Sequence, residues 1–132
     1  MKYISTRNNS KEYNFEQVFI KGLADDGGLY VPKSLKKYSA DELGKFKNLN
    51  YKELSTEIIN LFSSDFISKE ELSSLINKSY STFREKEVVK LSNVGEIKLL
   101  ELFHGPTLAF KDVAMQFIGN LYEYYLSKND EK

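Results

Sequence analysis

Apolar and polar residues alternate along this chain in rhythms that change from segment to segment, and each rhythm predicts an element. Lys2-Tyr3-Ile4-Ser5 reads as a short strand. Asn14 then caps a helix carrying Phe15, Val18 and Phe19 on one face, with Gly22 where that helix should end. The Asp25-Asp26-Gly27-Gly28 cluster is a turn signal, and Leu29-Tyr30-Val31 reads as a strand stopped by Pro32. Three helices follow, opened by Ser39 with Glu42, Asn50 with Glu53 and Ser68 with Glu71, each a cap with a carboxylate three residues on. Leu54, Ile58, Leu61 and Phe62 repeat at helical spacing in the second. Leu72, Leu75, Ile76, Ser79, Tyr80 and Phe83 form a stripe in the third, and both stripes are core surfaces. Lys52, Glu57, Lys69 and Lys78 between them belong to solvated faces.

The rhythm changes after Arg84-Glu85-Lys86-Glu87. Val88-Val89-Lys90-Leu91 and Ile97 to Phe103 read as two strands about a turn at Asn93 to Gly95, and Gly105-Pro106 forces a loop. A helix follows with Val113, Phe117, Leu121 and Tyr125 on one face, widened by Ile118, Tyr122 and Leu126, before a polar tail from Ser127 to Lys132. The pattern predicts an α+β chain, mostly helical with short strands over 1–87, and a strand, loop and helix opening a second unit over 88–132.

Composition narrows what such a chain does. With 132 residues and a formal net charge of zero, it has enough length for a core and no electrostatic drive toward nucleic acid or a membrane surface. No apolar run approaches the ~20 residues that span a bilayer, and no signal-peptide core opens the chain. The absence of cysteine excludes disulfides and thiolate metal sites and makes a cytoplasmic address the simplest expectation. His104, the one histidine, reads as a hydrogen-bonding residue of a turn or pocket rather than a metal ligand, and no metal is expected.

The chemical interest gathers in Glu101-Leu102-Phe103-His104-Gly105-Pro106-Thr107-Leu108-Ala109-Phe110-Lys111-Asp112. An amine held among Leu108, Ala109 and Phe110 loses hydration of its charged form, and the positive end of a following helix disfavours protonation. Both effects favour a neutral nucleophile of the Schiff-base kind. On local physics alone the commoner outcome is a solvated lysine beside an N-terminal carboxylate. The Gly27-Gly28 pair is better explained by turn geometry than as a phosphate cradle, because Asp25 and Asp26 would repel a phosphate there. None of the seven glycines builds a Gly-rich phosphate loop.

The lysine segment resembles, over its full length, the pyridoxal-phosphate (PLP) lysine motif of the threonine synthase family. Ser5-Thr6-Arg7 and Gly22-Leu23-Ala24-Asp25-Asp26-Gly27-Gly28-Leu29-Tyr30-Val31-Pro32 resemble further signatures of that family, in the right order. One departure is Asn8, where the family usually has glycine; asparagine tolerates a left-handed backbone better than most residues.

The resemblance implies the amino-terminal part of a PLP enzyme of the tryptophan-synthase β-like fold. Residues 1–87 would be the amino-terminal domain and 88–132 the truncated start of the PLP-binding α/β domain. The parent enzyme would convert O-phospho-L-homoserine and water into L-threonine and phosphate through a PLP–lysine aldimine. Carried over residue by residue, Lys111 would be the catalytic and cofactor-holding lysine. Thr107, His104 and Asp112 would be its candidate substrate-binding neighbours, with orienting the lysine or capping the helix the alternatives for Asp112 and a structural hydrogen bond the alternative for His104. Gly27, Gly28 and Tyr30 either touch substrate or shape their loop. The phosphate cup and the partner of the pyridine nitrogen are expected in the remainder of the chain, so the fragment alone is expected to be inactive. Two other readings stand beside this one: a threonine-synthase-like phospho-lyase that releases phosphate without forming threonine, and a non-catalytic interaction module using the apolar faces.

Overall fold

The computed structural model describes residues 1–129, so the end of the predicted polar tail, Asp130 to Lys132, lies outside the described residues. Its elements run β1 (Tyr3–Ser5), α1 (Phe15–Lys21), β2 (Tyr30–Pro32), α2 (Ala40–Phe46), α3 (Tyr51–Ser63), α4 (Lys69–Ser79), β3 (Lys90–Val94), β4 (Ile97–Glu101) and α5 (Asp112–Lys128). This is the α+β chain that the pattern predicts. The start signals work as read: Asn14 with Gln17, Ser39 with Glu42, Asn50 with Glu53 and Ser68 with Glu71 each exchange side-chain and backbone hydrogen bonds as capping boxes. Gly22 ends α1 with φ +70°, a conformation that costs a residue without Cβ little.

Two compact units divide the chain. One comprises Met1–Asn48 and Thr56–Leu72; the other comprises Leu49–Ser55 and the chain from Ser73 onward. The division passes through α3 and α4, a different line from the change of rhythm at 87/88.

In the first unit β1 pairs antiparallel with β2, Tyr3 opposite Pro32 and Ser5 opposite Tyr30. Tyr3, Ala24, Phe66, Ile67 and Leu72 are buried, and Phe15 packs against Tyr3, Phe19 and Phe66 with ring centroids 5.7–6.3 Å apart. The Tyr3 hydroxyl donates to the Phe62 carbonyl at 2.8 Å, and burial followed by the nearby Asp65 charge pushes that phenol up to about 12.

In the second unit Leu75, Ile76, Tyr80, Val88, Phe117 and Leu121 are buried. The stripe predicted on α5 therefore has its centre at Phe117 and Leu121, with Tyr122 and Leu126 left at its exposed margin. Polar groups inside are paired: Asn120 donates to Ser79 Oγ at 3.0 Å, and Ser79 donates to the Leu75 carbonyl at 2.7 Å.

Strands β3 and β4 form an antiparallel hairpin in which Leu91 faces Leu100 and Val94 faces Ile97. Here the boundaries differ from those predicted. Val88 is not the start of a strand: its φ is +66° and its N–H turns back to the Glu85 carbonyl at 2.9 Å. Burial holds this β-branched residue in a conformation its own propensity opposes. The turn contracts to Gly95-Glu96, with φ +62° at Gly95 alone, the pattern of a type II′ hairpin. Leu102 and Phe103 fall outside β4, which ends at Glu101. No helix among the described residues is long and apolar enough to cross a membrane.

Candidate active site

Lys111 occupies the N-cap position of the 17-residue helix α5, with φ −62° and ψ −24° and no side-chain cap. Its carbonyl accepts from Ala114 at 3.0 Å and Met115 at 2.8 Å, so its backbone already belongs to the helix while its side chain is free to point away. The residue is exposed, in line with its place on the rim of a hollow of about 310 Å³ lined by Leu102, Phe110, Lys111, Val113, Ala114 and Met115. The expected desolvation by Leu108, Ala109 and Phe110 is corrected by this geometry. All three are exposed, Leu108 by 52% and Phe110 by 65%, so they do not form a buried setting.

Asp112 follows the lysine and turns inward; it is 3% exposed. One carboxylate oxygen accepts the Thr107 N–H at 2.7 Å and the Thr107 hydroxyl at 2.9 Å, and the other faces the Gln116 amide at 3.4 Å. Burial alone would raise the carboxyl, but the donors from Thr107, Gln116 and the Ala109 backbone outweigh it and hold the group below its ordinary value. Asp112 is thus bonded chiefly to the preceding loop, with Thr107 its closest donor and the Gln116 side chain of its own helix a longer one.

Gly105 explains why the loop can lie so close. A Cβ there would sit 2.3 Å from the Asp112 Cβ and 2.5 Å from its Oδ2. Both loop ends are anchored: the Arg84 N–H donates to the His104 carbonyl at 2.9 Å, and the Tyr80 hydroxyl donates to the Val113 carbonyl at 2.9 Å. Between these anchors Leu108 takes φ +63°, a left-handed conformation that costs a non-glycine residue about 1–3 kcal/mol. The His104 ring meets Glu101 Oε2 at 2.7 Å, and both side chains are mostly buried. Hydrogen bonds from Ser92 and then His104 hold the Glu101 carboxyl below its usual range.

The structure therefore brings Thr107 and Asp112 together, leaves Lys111 on the hollow beside Phe110, and ties His104 to the loop's entry. Sequence reasoning missed Gly105 as the residue that makes room for Asp112, and Glu101 as the partner of His104. The i, i+3 spacing of Glu101 and His104 was the available signal for the second.

The amino-terminal signatures meet in the first unit. Asp26 Oδ1 accepts from Ser5 Oγ at 2.8 Å and the Gly28 N–H at 2.9 Å, and the Leu29 N–H donates to Thr6 Oγ1 at 3.0 Å. Arg7 donates to the Asp26 carbonyl at 3.2 Å, and Gly27, at φ +76°, backs onto its guanidinium. A Cβ at Gly28 would lie 2.3 Å from Ser5 Oγ. The turn is closed around its own aspartate, as its composition predicts. Tyr30 stacks edge-on against Tyr13 at 4.9 Å.

Residues 2–80 match the profile of the family described as "Threonine synthase N terminus". The chain belongs to the threonine synthase family. It is 41% identical over 132 residues to threonine synthase from Schizosaccharomyces pombe, covering 98% of this chain and 26% of that protein. It is 38% identical over 133 residues to human "Threonine synthase-like 2", covering 99% of this chain and 28% of that protein. The crystal structure of PLP-bound threonine synthase from Brucella melitensis superposes with a TM-score of 0.94 at 35% identity, over 100% of this chain and 29% of that one. The chain thus spans between a quarter and a third of the length of these threonine synthase relatives.

Of the groups that a PLP site needs, this chain offers an amine. An accessible lysine at a helix start, beside an apolar hollow, suits covalent attachment of the cofactor's aldehyde. A phosphate-binding Gly-rich loop is not found in this sequence.

Proposed function

We propose that this chain is the amino-terminal part of a PLP-dependent threonine synthase, with residues 1–87 its amino-terminal domain and 88–132 the opening of its cofactor domain. The whole enzyme converts O-phospho-L-homoserine and water into L-threonine and phosphate. The observation that carries the reading is Lys111, solvent-facing at the first turn of α5 at the end of a loop anchored on both sides. Lys111 would hold PLP, which when bound would supply an electron sink next to the substrate Cα. The freed Lys111 amine would move protons at Cα and Cβ; phosphate would leave Cγ, which takes up a proton to become the methyl carbon, and water would add its oxygen at Cβ and give up a proton. The remainder of the chain supplies the phosphate anchor, so the isolated fragment retains PLP weakly and does not turn over. A cytoplasmic address accompanies this reading.

Incubating the full-length protein with PLP, reducing with borohydride and mapping the modified peptide tests it. An adduct on Lys111, lost in Lys111→Ala together with activity, is expected. Full activity in Lys111→Ala overturns the reading. A second reading is a threonine-synthase-like phospho-lyase using the same lysine. Phosphate release without threonine in a product analysis would decide for it.

A further inference from the structure

We propose that Asp112 is a positioning residue for Lys111: by clamping Thr107 across the gap that Gly105 leaves, it fixes loop 105–111 in the conformation that delivers the amine outward. The proposal rests on the reading that Lys111 carries the cofactor.

The geometry separates Asp112 from its neighbour in role. At 3% exposure, with one oxygen taken by two Thr107 donors and the other turned to Gln116, the carboxylate has no free face to offer a substrate. What it does hold is the loop. Leu108 at φ +63° is a strained position, and strain of this kind persists only where surrounding contacts over-determine it. The anchors at His104 and Val113 fix where the loop begins and ends but leave its interior unspecified. Within it the backbone bonds run from the Leu108 N–H to the Gly105 carbonyl at 3.2 Å, from the Asp112 N–H to the Ala109 carbonyl at 3.0 Å and from the Val113 N–H to the Phe110 carbonyl at 3.3 Å. The Asp112 carboxylate adds two shorter bonds, at 2.7 and 2.9 Å, in the middle of the segment. Gly105 is shaped to the same contact, because any side chain there would displace the carboxylate from Thr107. Lys111 is covalently next to the clamp, so a shift of Asp112 moves the lysine backbone directly.

The test uses the full-length protein with the variants Asp112→Ala, Asp112→Asn and Thr107→Val. Two quantities are followed: the rate at which borohydride-trapped PLP accumulates on Lys111, and deuterium uptake of residues 105–111. Asp112→Ala should slow adduct formation on the order of tenfold or more, as a misplacement of about 1 Å does for a reacting group, and should raise uptake across the loop. Thr107→Val, an exposed substitution that spares the fold, should give a smaller change of the same sign. Asp112→Asn, which keeps one acceptor oxygen, should restore most of the rate. An adduct that forms within about twofold of the wild-type rate in both Asp112→Ala and Thr107→Val, with loop uptake unchanged, overturns the proposal alone. A KM effect at unchanged kcat and unchanged uptake also overturns it, by making Asp112 a substrate contact. Absence of any Lys111 adduct in the wild type overturns the underlying reading and the proposal together.

Discussion

The turn around Asp26 and the loop around Asp112 are assembled from the same parts. Each has a carboxylate accepting one backbone N–H and one hydroxyl, and each has a glycine whose missing Cβ makes the approach possible. They differ in reach. The hydroxyl that Asp26 receives comes from Ser5, 21 residues away, so this carboxylate stitches β1 to the turn before β2. Asp112 takes both donors from Thr107, five residues away, and closes only its own loop. A long-range clamp contributes to the stability of a whole unit, because ordering it closes a chain loop; a short-range clamp mainly chooses among local conformations. The Asp26 turn therefore reads as architecture, and the Asp112 loop as a device for placing its neighbour.

The glycines offer the sharpest way to break this comparison. Gly105→Ala drives a methyl into the Asp112 Cβ as well as its carboxylate, and should destabilise by about 3 kcal/mol or more in a urea melt. Gly28→Ala meets only the ends of the Ser5, Asp26 and Thr6 side chains, which can rotate, and should cost about 1–2 kcal/mol. A larger loss at Gly28 would show that the amino-terminal turn is the more rigid of the two.

Acid comes next in size. Hydrogen bonds from Ser5 and Gly28 hold Asp26 below its ordinary value, and Asp112 is held low once its Thr107 donors outweigh burial. Both carboxyls bind protons less readily folded than unfolded. Their contribution is complete above the unfolded value of about 4 and is lost as pH falls through the folded values. Glu42, lowered from 4.5 to about 2 by Lys36 and then the Ser39 backbone, loses its share between those two values. Followed by circular dichroism below pH 4, Asp26→Asn should flatten the acid dependence of unfolding. Asp112→Asn should flatten that global curve less and show most clearly in the exchange of loop amides. Equal effects of the two on the global curve would erase the distinction between stitch and local clamp.

The smallest effect lies at Leu108. Leu108→Gly relieves the left-handed strain but frees the unfolded chain, and should fall within about 0.5 kcal/mol of wild type. Leu108→Val should cost about 1–2 kcal/mol, because β-branching opposes φ +63°. Thermal melts of the pair settle the order.

What could be read from the sequence, and what could not, follows the same line between near and far. Helix starts were legible because Asn14, Ser39, Asn50 and Ser68 carry their partners three residues on, within one turn of chain. The α5 stripe and the place of Lys111 before it were legible for a similar reason. The left-handed Val88 was not, since a β-branched apolar residue spells strand and only burial in the folded unit reverses it. The link from Ser5 to Asp26 leaves no local mark, so two family signatures looked separate although they form one cluster. Leu108, Ala109 and Phe110 misled in the opposite direction, because apolar letters were taken for a buried setting and all three are exposed. Asp112 carried the right residue type for a helix start, yet its direction depended on the closeness of Gly105, which appears only in three dimensions.

One consequence attaches to the N-cap of α5. That position is usually filled by serine, threonine, aspartate or asparagine, whereas here it holds a lysine with no side-chain cap, at the end where a positive charge is least welcome. A stabilising search over this sequence would remove Lys111 early, gaining ~0.3–1 kcal/mol from the relief of charge against the helix end. The gain would cost the enzyme its chemistry on the reading above. Ranked by thermostability alone, a library of variants would select against the residue to which that reading assigns the chemistry.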